Sequence, residues 1–222
     1  MAKKLIVFGA GDIAELAKYY FSTDTDYGDV SAFTVDGEYL KESTFCGRPV
    51  VAFEDVCERF SPLEFDFFVA LSYSKLNSVR KQKFEAAKAL GYQIASYVST
   101  KASVLSEHKI GENCFILENN VIQPFVKIGN NVTLWSGNHI GHHSVIGDHT
   151  FIASHVVVSG GVHIGEQCFI GVNATLRDHL KVGNKCVIGA GALLLEDAEN
   201  EGVYMGVGSQ RSRVPSTRLR GI

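Results

Sequence analysis

The sequence predicts a small α/β unit with a parallel sheet over residues 1–97, an all-β parallel β-helix over residues 98–195, and a tail over residues 196–222. Two observations carry this division. An aliphatic residue returns every six positions from Val98 to Leu194, and a strand, a glycine turn and an amphipathic helix open the chain.

The repeat is the stronger signal. All seventeen positions of the six-residue series are Ile, Leu or Val, with no insertion breaking the frame. Glycine follows directly at eight of them, and four residues on stand mostly small or β-branched residues such as Cys114, Val132, Ser144, Cys168 and Ala174. Helices and ordinary strands have side-chain periods of 3.6 and 2, so neither explains a period of six. A coil with three flat faces does: each hexapeptide makes one short strand and one corner, and three close an 18-residue turn. Successive coils then stack at about 4.8 Å, the spacing of paired strands. Glycine and asparagine supply the backbone freedom that the corners need.

Ahead of the repeat, residues 4–9 (KLIVFG) read as a buried strand, and GAGDIAELAKYYF as a tight turn opening into a helix. Further strands are expected at 30–36 and 67–72, and a helix at 75–90, which gives a small Rossmann-like parallel sheet. Gly9, Ala10, Gly11 and Asp12 form the strand-to-helix junction, where free N–H groups can receive a phosphate. Asp36, at the end of the second strand, is placed to accept from a ribose or a base edge. Fewer than 100 residues precede the repeat, too few for a six-stranded dinucleotide-binding domain, so a mononucleotide-type ligand is favoured over NAD.

Composition narrows the class. A net charge of −3 with no basic stripe argues against a nucleic-acid partner. The exception is the tail, with Arg211, Arg213, Arg218 and Arg220. Five scattered cysteines form no C-x-x-C pair, and Cys114, Cys168 and Cys186 fall on small core positions, so buried free thiols and a reducing cytoplasm are expected. The N-terminal apolar run is too short for a signal peptide or a membrane span.

Five of the eight histidines lie between Asn138 and Gly161. The segment Ile140-Gly141-His142-His143-Ser144-Val145-Ile146-Gly147, the [LIV]-G-x-x-[STAVC]-x repeat, the N-terminal GAG turn and the tail motif GVYMGVGSQR resemble the hexapeptide-repeat N-acetyltransferases of nucleotide-linked amino sugars, the bacillosamine and perosamine type related to sialic acid O-acetyltransferases. That resemblance implies a left-handed helix, a homotrimer, acetyl-CoA as co-substrate with no metal, and a UDP- or dTDP-linked 4-amino-4,6-dideoxy sugar as acceptor. It implies His142 as general base. His143 stands where the family often carries a glutamate that orients the base, so His142 and His143 are the candidate catalytic residues. Asn138 and a carboxylate from a neighbouring subunit are alternative orienting groups. The resemblance assigns Gly160, Val172 and Ala190 to acyl-CoA, with N–H groups of residues 188–191 as donors. The 18-residue register independently puts Gly160 one coil from His142. The histidine spacings do not match the zinc triad of the carbonic anhydrases of this fold. Sugar O-acetylation and a non-catalytic β-helix module are the competing functions.

Overall fold

The computed structural model describes residues 4–218. The first unit is a six-stranded sheet built from β1 (Lys4–Phe8), β2 (Ala32–Val35), β3 (Thr44–Phe45), β4 (Arg48–Ala52), β5 (Phe65–Val69) and β6 (Gln93–Ile94), with helices α1 (Asp12–Asp24), α2 (Val56–Arg59) and α3 (Ser78–Ala89). Strand order is β3-β4-β2-β1-β5-β6, and every pairing is parallel except β3 with β4. Side chains of β1 alternate between two cores, as the strand period of two requires. Leu5 and Val7 pack with Ala14, Ala17 and Phe21 of α1, while Ile6 and Phe8 pack with Val56, Phe84 and Ala87 of α2 and α3. Sequence reading anticipated β1, α1, β2, β5 and α3 and missed β3, β4, α2 and β6. The last helix starts at Ser78 rather than at residue 75, because Lys75, Leu76 and Asn77 adopt φ of 49°, 50° and 63°, a left-handed turn that no helix continues.

From Tyr97 onward the chain coils into the predicted left-handed parallel β-helix. Two-residue strands end on the aliphatic position of each hexapeptide and pair with the strand 18 residues away, as in Ile122↔Ile140, Ile140↔Val158 and Val158↔Leu176. The first face runs from Ser103–Val104 to Leu193–Leu194, the second from Lys127–Ile128 to Lys181–Val182, and the third from Tyr97–Val98 to Val203–Tyr204. Ile110 alone of the series ends no strand, yet it packs against the core half-buried. The third face gains a last strand beyond residue 195, with Ile188 paired to Tyr204, a step of 16 residues. Cys114, Cys168 and Cys186 are free and buried among the Ile, Leu and Val of the interior.

Corner residues take φ near +60°, and the positions are held largely by Asn and His, including Asn113, Asn131, His143, His149, His155 and His179.

The α/β unit lies on the third face. Phe115 and Leu117 complete the core of α1 and β5, and Tyr73 packs on Phe151 and Phe169 at ring separations of 5.0 and 4.7 Å. Arg80 of α3 is fully buried and donates to Thr133 Oγ1, to Asn77 Oδ1 at 2.9 Å and to the His149 carbonyl at 3.2 Å. Burial without a carboxylate partner holds its guanidinium down at about 10. Asn113 closes the seam by accepting from Val69 N–H at 2.7 Å and donating to Val69 C=O at 3.2 Å.

Candidate active site

His142 and His143 stand on the corner between the first and second faces, both exposed. Gln123 Oε1 accepts from His142 N–H at 2.9 Å, and His142 C=O accepts from Gly161 N–H at 2.8 Å. The imidazole lies over the next coil: a Cβ on Gly160 would come within 2.6 Å of His142 Cε1 and 2.7 Å of Nε2. Gly160 was expected to open the backbone to a pantetheine arm. In this structure its missing side chain also seats the His142 ring, which occupies the space a side chain would need.

His143 is the side chain that meets the His142 ring. Its Nδ1 is 3.1 Å from His142 Nδ1, so one of the two nitrogens carries hydrogen and the other accepts it. The rings are nearly perpendicular at 86°, and His143 leans on Phe125 at 4.7 Å between ring centres. Asn138 does not orient His142. It is buried in another corner, where its Nδ2 donates to Trp135 C=O at 2.5 Å and its Oδ1 accepts from Val156 N–H at 2.7 Å. With Nδ1 held by His143, the Nε2 edge of His142 faces the open surface above Gly160.

Val172 and Ala190 occupy the other corner flanking the first face, joined by Gly191 N–H donating to Val172 C=O at 2.8 Å. They are therefore not beside His142. The outward side of the face lies between them, with Val157 39 %, Val172 44 % and Leu193 64 % exposed. Gly189 N–H and Gly191 N–H, expected as donors to the pantetheine or the thioester oxygen, donate to Tyr204 C=O and Val172 C=O. Ala190 N–H, like Val172 N–H, has no backbone acceptor among the described residues.

In the α/β unit, Gly9, Ala10, Gly11 and Asp12 line a cleft of about 670 Å³ together with Tyr73 and Trp135. Gly9 has φ of 124°, and a Cβ there would meet Ala70 O at 2.7 Å, so only glycine fits this turn. Gly11 caps α1 with no side-chain bond, leaving first-turn N–H groups toward the cleft. Asp36 is not part of that cleft; its carboxylate pairs with Lys83, whose ammonium lies 5.4 and 5.5 Å from the Phe8 and Phe53 ring centres. Trp135 was missed. It is the single tryptophan and follows Leu134 at the hexad position that most often holds glycine, which is the signal it left in the sequence.

The remaining histidines divide by burial. His149 is buried, bonded through Nδ1 to Asn131 Nδ2 at 2.9 Å, and burial together with the Lys81 charge holds it down at about 4. It is structural rather than a solvated corner residue. Of the arginines of the tail, Arg211, Arg213 and Arg218 are exposed, and Arg220 lies outside the described residues. Among the described residues, no group of three or more His, Cys, Asp or Glu is arranged to hold a metal, and no helix is long and apolar enough to cross a membrane.

Comparison with known proteins agrees with this fold. The bacterial transferase hexapeptide family matches residues 107–142, 126–160 and 161–195. No curated protein matches the chain by sequence. Among solved structures, the acetyltransferase domain of PglB from Neisseria gonorrhoeae is similar at 25 % identity and a TM-score of 0.79, covering 92 % of this chain and 97 % of that domain. The same domain is also known in complex with acetyl coenzyme A. PerB from Caulobacter crescentus, in complex with CoA and GDP-perosamine, shares the fold at 20 % identity and a TM-score of 0.80, with coverages of 93 % and 95 %. WeeI from Acinetobacter baumannii does so at 22 % and 0.77, with coverages of 92 % and 97 %. The repeat places residues 107–195 in the bacterial transferase hexapeptide family, and the chain shares its left-handed parallel β-helix with known acetyltransferases.

Proposed function

We propose that the protein transfers an acetyl group from acetyl-CoA to the amino group of a nucleotide-linked 4-amino-4,6-dideoxy sugar, in a ternary complex, with His142 as the base. The observation that carries this reading is the His142 ring over Gly160, with Nδ1 bonded to His143 and the Nε2 edge free. In the working tautomer His142 carries hydrogen on Nδ1 and donates it to His143 Nδ1, which leaves a lone pair on Nε2. Acetyl-CoA supplies the thioester whose carbonyl carbon the sugar nitrogen attacks. As the C–N bond forms and the C–S bond breaks, the nitrogen's proton passes to His142 Nε2 and on to sulfur, and CoA leaves as the thiol.

Residues 1–97 hold the nucleotide in this reading, with phosphate at Gly9, Ala10, Gly11 and Asp12 and the base against Trp135. Residues 98–195 hold the acyl donor, and residues 196–222 form the tail. The apolar strip of Val157, Val172 and Leu193 suits a pantetheine arm, and Ala190 N–H suits one of its carbonyls. Holding both substrates in register supplies much of the rate. The exposed strip also suits a neighbouring subunit, and a cytoplasmic homotrimer completes the reading; the free cysteines fit a reducing compartment.

The test is CoA thiol release from acetyl-CoA with GDP-, UDP- and dTDP-linked 4-amino sugars and their 4-hydroxyl analogues. Release with an amino sugar alone is the expected result. Release only with hydroxyl analogues would shift the reading to O-acetylation. No release, with no rise in melting temperature on adding acetyl-CoA, would leave a non-catalytic module.

A further inference from the structure

The corner that carries His142 continues as Gly160 and then Asp178, each one coil of 18 residues further along. Two ladder bonds fix the stack: Gly161 N–H donates to His142 C=O at 2.8 Å, and His179 N–H donates to Gly160 C=O at 2.9 Å. The middle coil presents only Gly160-Gly161, so the ridge of side chains is notched there. His142 enters the notch from one side, its Cε1–Nε2 edge over Gly160. His179 enters from the other, with Cε1 2.8 Å from where a Cβ of Gly161 would lie. Asp178 stands beside it, with Oδ2 3.9 Å from His179 Nε2.

Two coils at about 4.8 Å each put the backbone of Asp178 about 10 Å from that of His142. The His142 side chain spans roughly the first of these coils. The Nε2 edge over Gly160 is thus about one coil from the backbone of Asp178, room for one amine-sized group.

The chemistry of the notch calls for a negative charge. An alkyl amine reaches the enzyme at neutral pH largely as an ammonium. Neither His142 nor His143 attracts a cation, and His142 becomes one when it takes the proton. The charged residues that the register puts on this corner beyond the notch are Arg177, Asp178, His179 and, one coil further on, Glu196. Asp197 is directed elsewhere, its Oδ1 accepting from Lys181 N–H at 2.8 Å. Asp178 is therefore the carboxylate nearest the free edge of His142 on this corner.

We infer, resting on His142 as the base, that Asp178 is a specificity-determining residue that receives the substrate ammonium across the Gly160-Gly161 notch and faces the imidazolium formed there. The ammonium gives its extra proton to water through the open notch, and the neutral amine then reacts as described above. The carboxylate selects amines over hydroxyl acceptors, because a neutral hydroxyl gains nothing from the charge.

The experiment compares wild type, Asp178→Asn and Asp178→Glu by CoA thiol release, with GDP-perosamine and UDP- and dTDP-linked 4-amino sugars as probes. Loss of one such charge contact predicts an amino-sugar KM raised roughly 10-fold in Asp178→Asn. The acetyl-CoA KM and the melting temperature stay unchanged, and Asp178→Glu recovers part of the loss. His143→Glu placed on Asp178→Asn also recovers part of it, since it returns a carboxylate to the base. Wild-type KM in Asp178→Asn overturns the assignment and leaves the base untouched. Equal rises in both KM values also overturn it, as a structural effect. If wild type fails to turn over every probe, the reading of His142 falls first and this inference with it.

Discussion

Replacing Gly160 by alanine probes the position of the proposed base, His142, by a single methyl group. Gly160 is not among the residues with positive φ, so alanine adopts its backbone without strain. The new Cβ would lie 2.6 Å from His142 Cε1, and ordinary contact begins at 3.4 Å, so the ring must retreat by about 0.8 Å. That retreat moves the ring within its contact with His143, whose Nδ1 lies 3.1 Å from His142 Nδ1. A displacement near 1 Å of a reacting group can cost on the order of 100-fold in rate, or about 2.7 kcal/mol of barrier. The assay is CoA thiol release at saturating acetyl-CoA and amino sugar, beside a thermal melt and an acetyl-CoA binding isotherm. The expectation is a kcat lowered on the order of 100-fold with the fold and acetyl-CoA affinity retained. A folded Gly160→Ala protein with wild-type kcat would refute the argument that the seat over Gly160 places the base.

Other consequences follow from burial. His149 is held near 4, below its usual value, so the unfolded chain takes up a proton as pH falls below about 6.5 while the folded chain does not. Stability is then fully present above that pH and is lost toward pH 4, by up to about 3 kcal/mol. Urea melts at pH 7.5 and 5.0 should show a shallower pH dependence in His149→Asn; an equal slope in the two proteins would remove His149 as its source. Arg80→Ala strips the donor from Thr133, Asn77 and the His149 carbonyl at the seam and should cost roughly 3 kcal/mol by calorimetry. An unchanged melting temperature would mean the seam does not depend on it. On one strand, Ile128→Ala should cost about 2–5 kcal/mol and the outward Lys127→Ala under about 0.5 kcal/mol, because only Ile128 faces the core. Similar losses at both positions would contradict the inward–outward assignment.

The β-helix was legible because its core repeats: each aliphatic residue of the hexad repeats the demand of the one before, and no distant partner need be known. Its 18-residue step also brought Gly160 to His142, an inference from register alone. The role of that glycine was not legible, since whether a ring or a ligand fills the space depends on the His142 rotamer. The contact between the His142 and His143 rings depends on the same rotamer. Strands β3 and β4 were missed because ESTFCGRPVVA offers a turn and a short apolar run with little period. The seam escaped for a different reason: Arg80 to Thr133 and Asn77 to Cys168 join residues 53 and 91 positions apart, and nothing local in either segment marks the contact. Asp36 looked available because strand ends commonly meet ligands, whereas Lys83 of α3 had already claimed it.

The central claim is that His142 removes the proton of an amine acylated by acetyl-CoA. The most direct measurement is the rate of CoA thiol release by wild type and His142→Asn, each confirmed folded by thermal melt and each shown to bind acetyl-CoA. The account predicts turnover with an amino sugar in wild type and a loss of roughly 100-fold or more in the variant. Undiminished turnover in folded His142→Asn would contradict it.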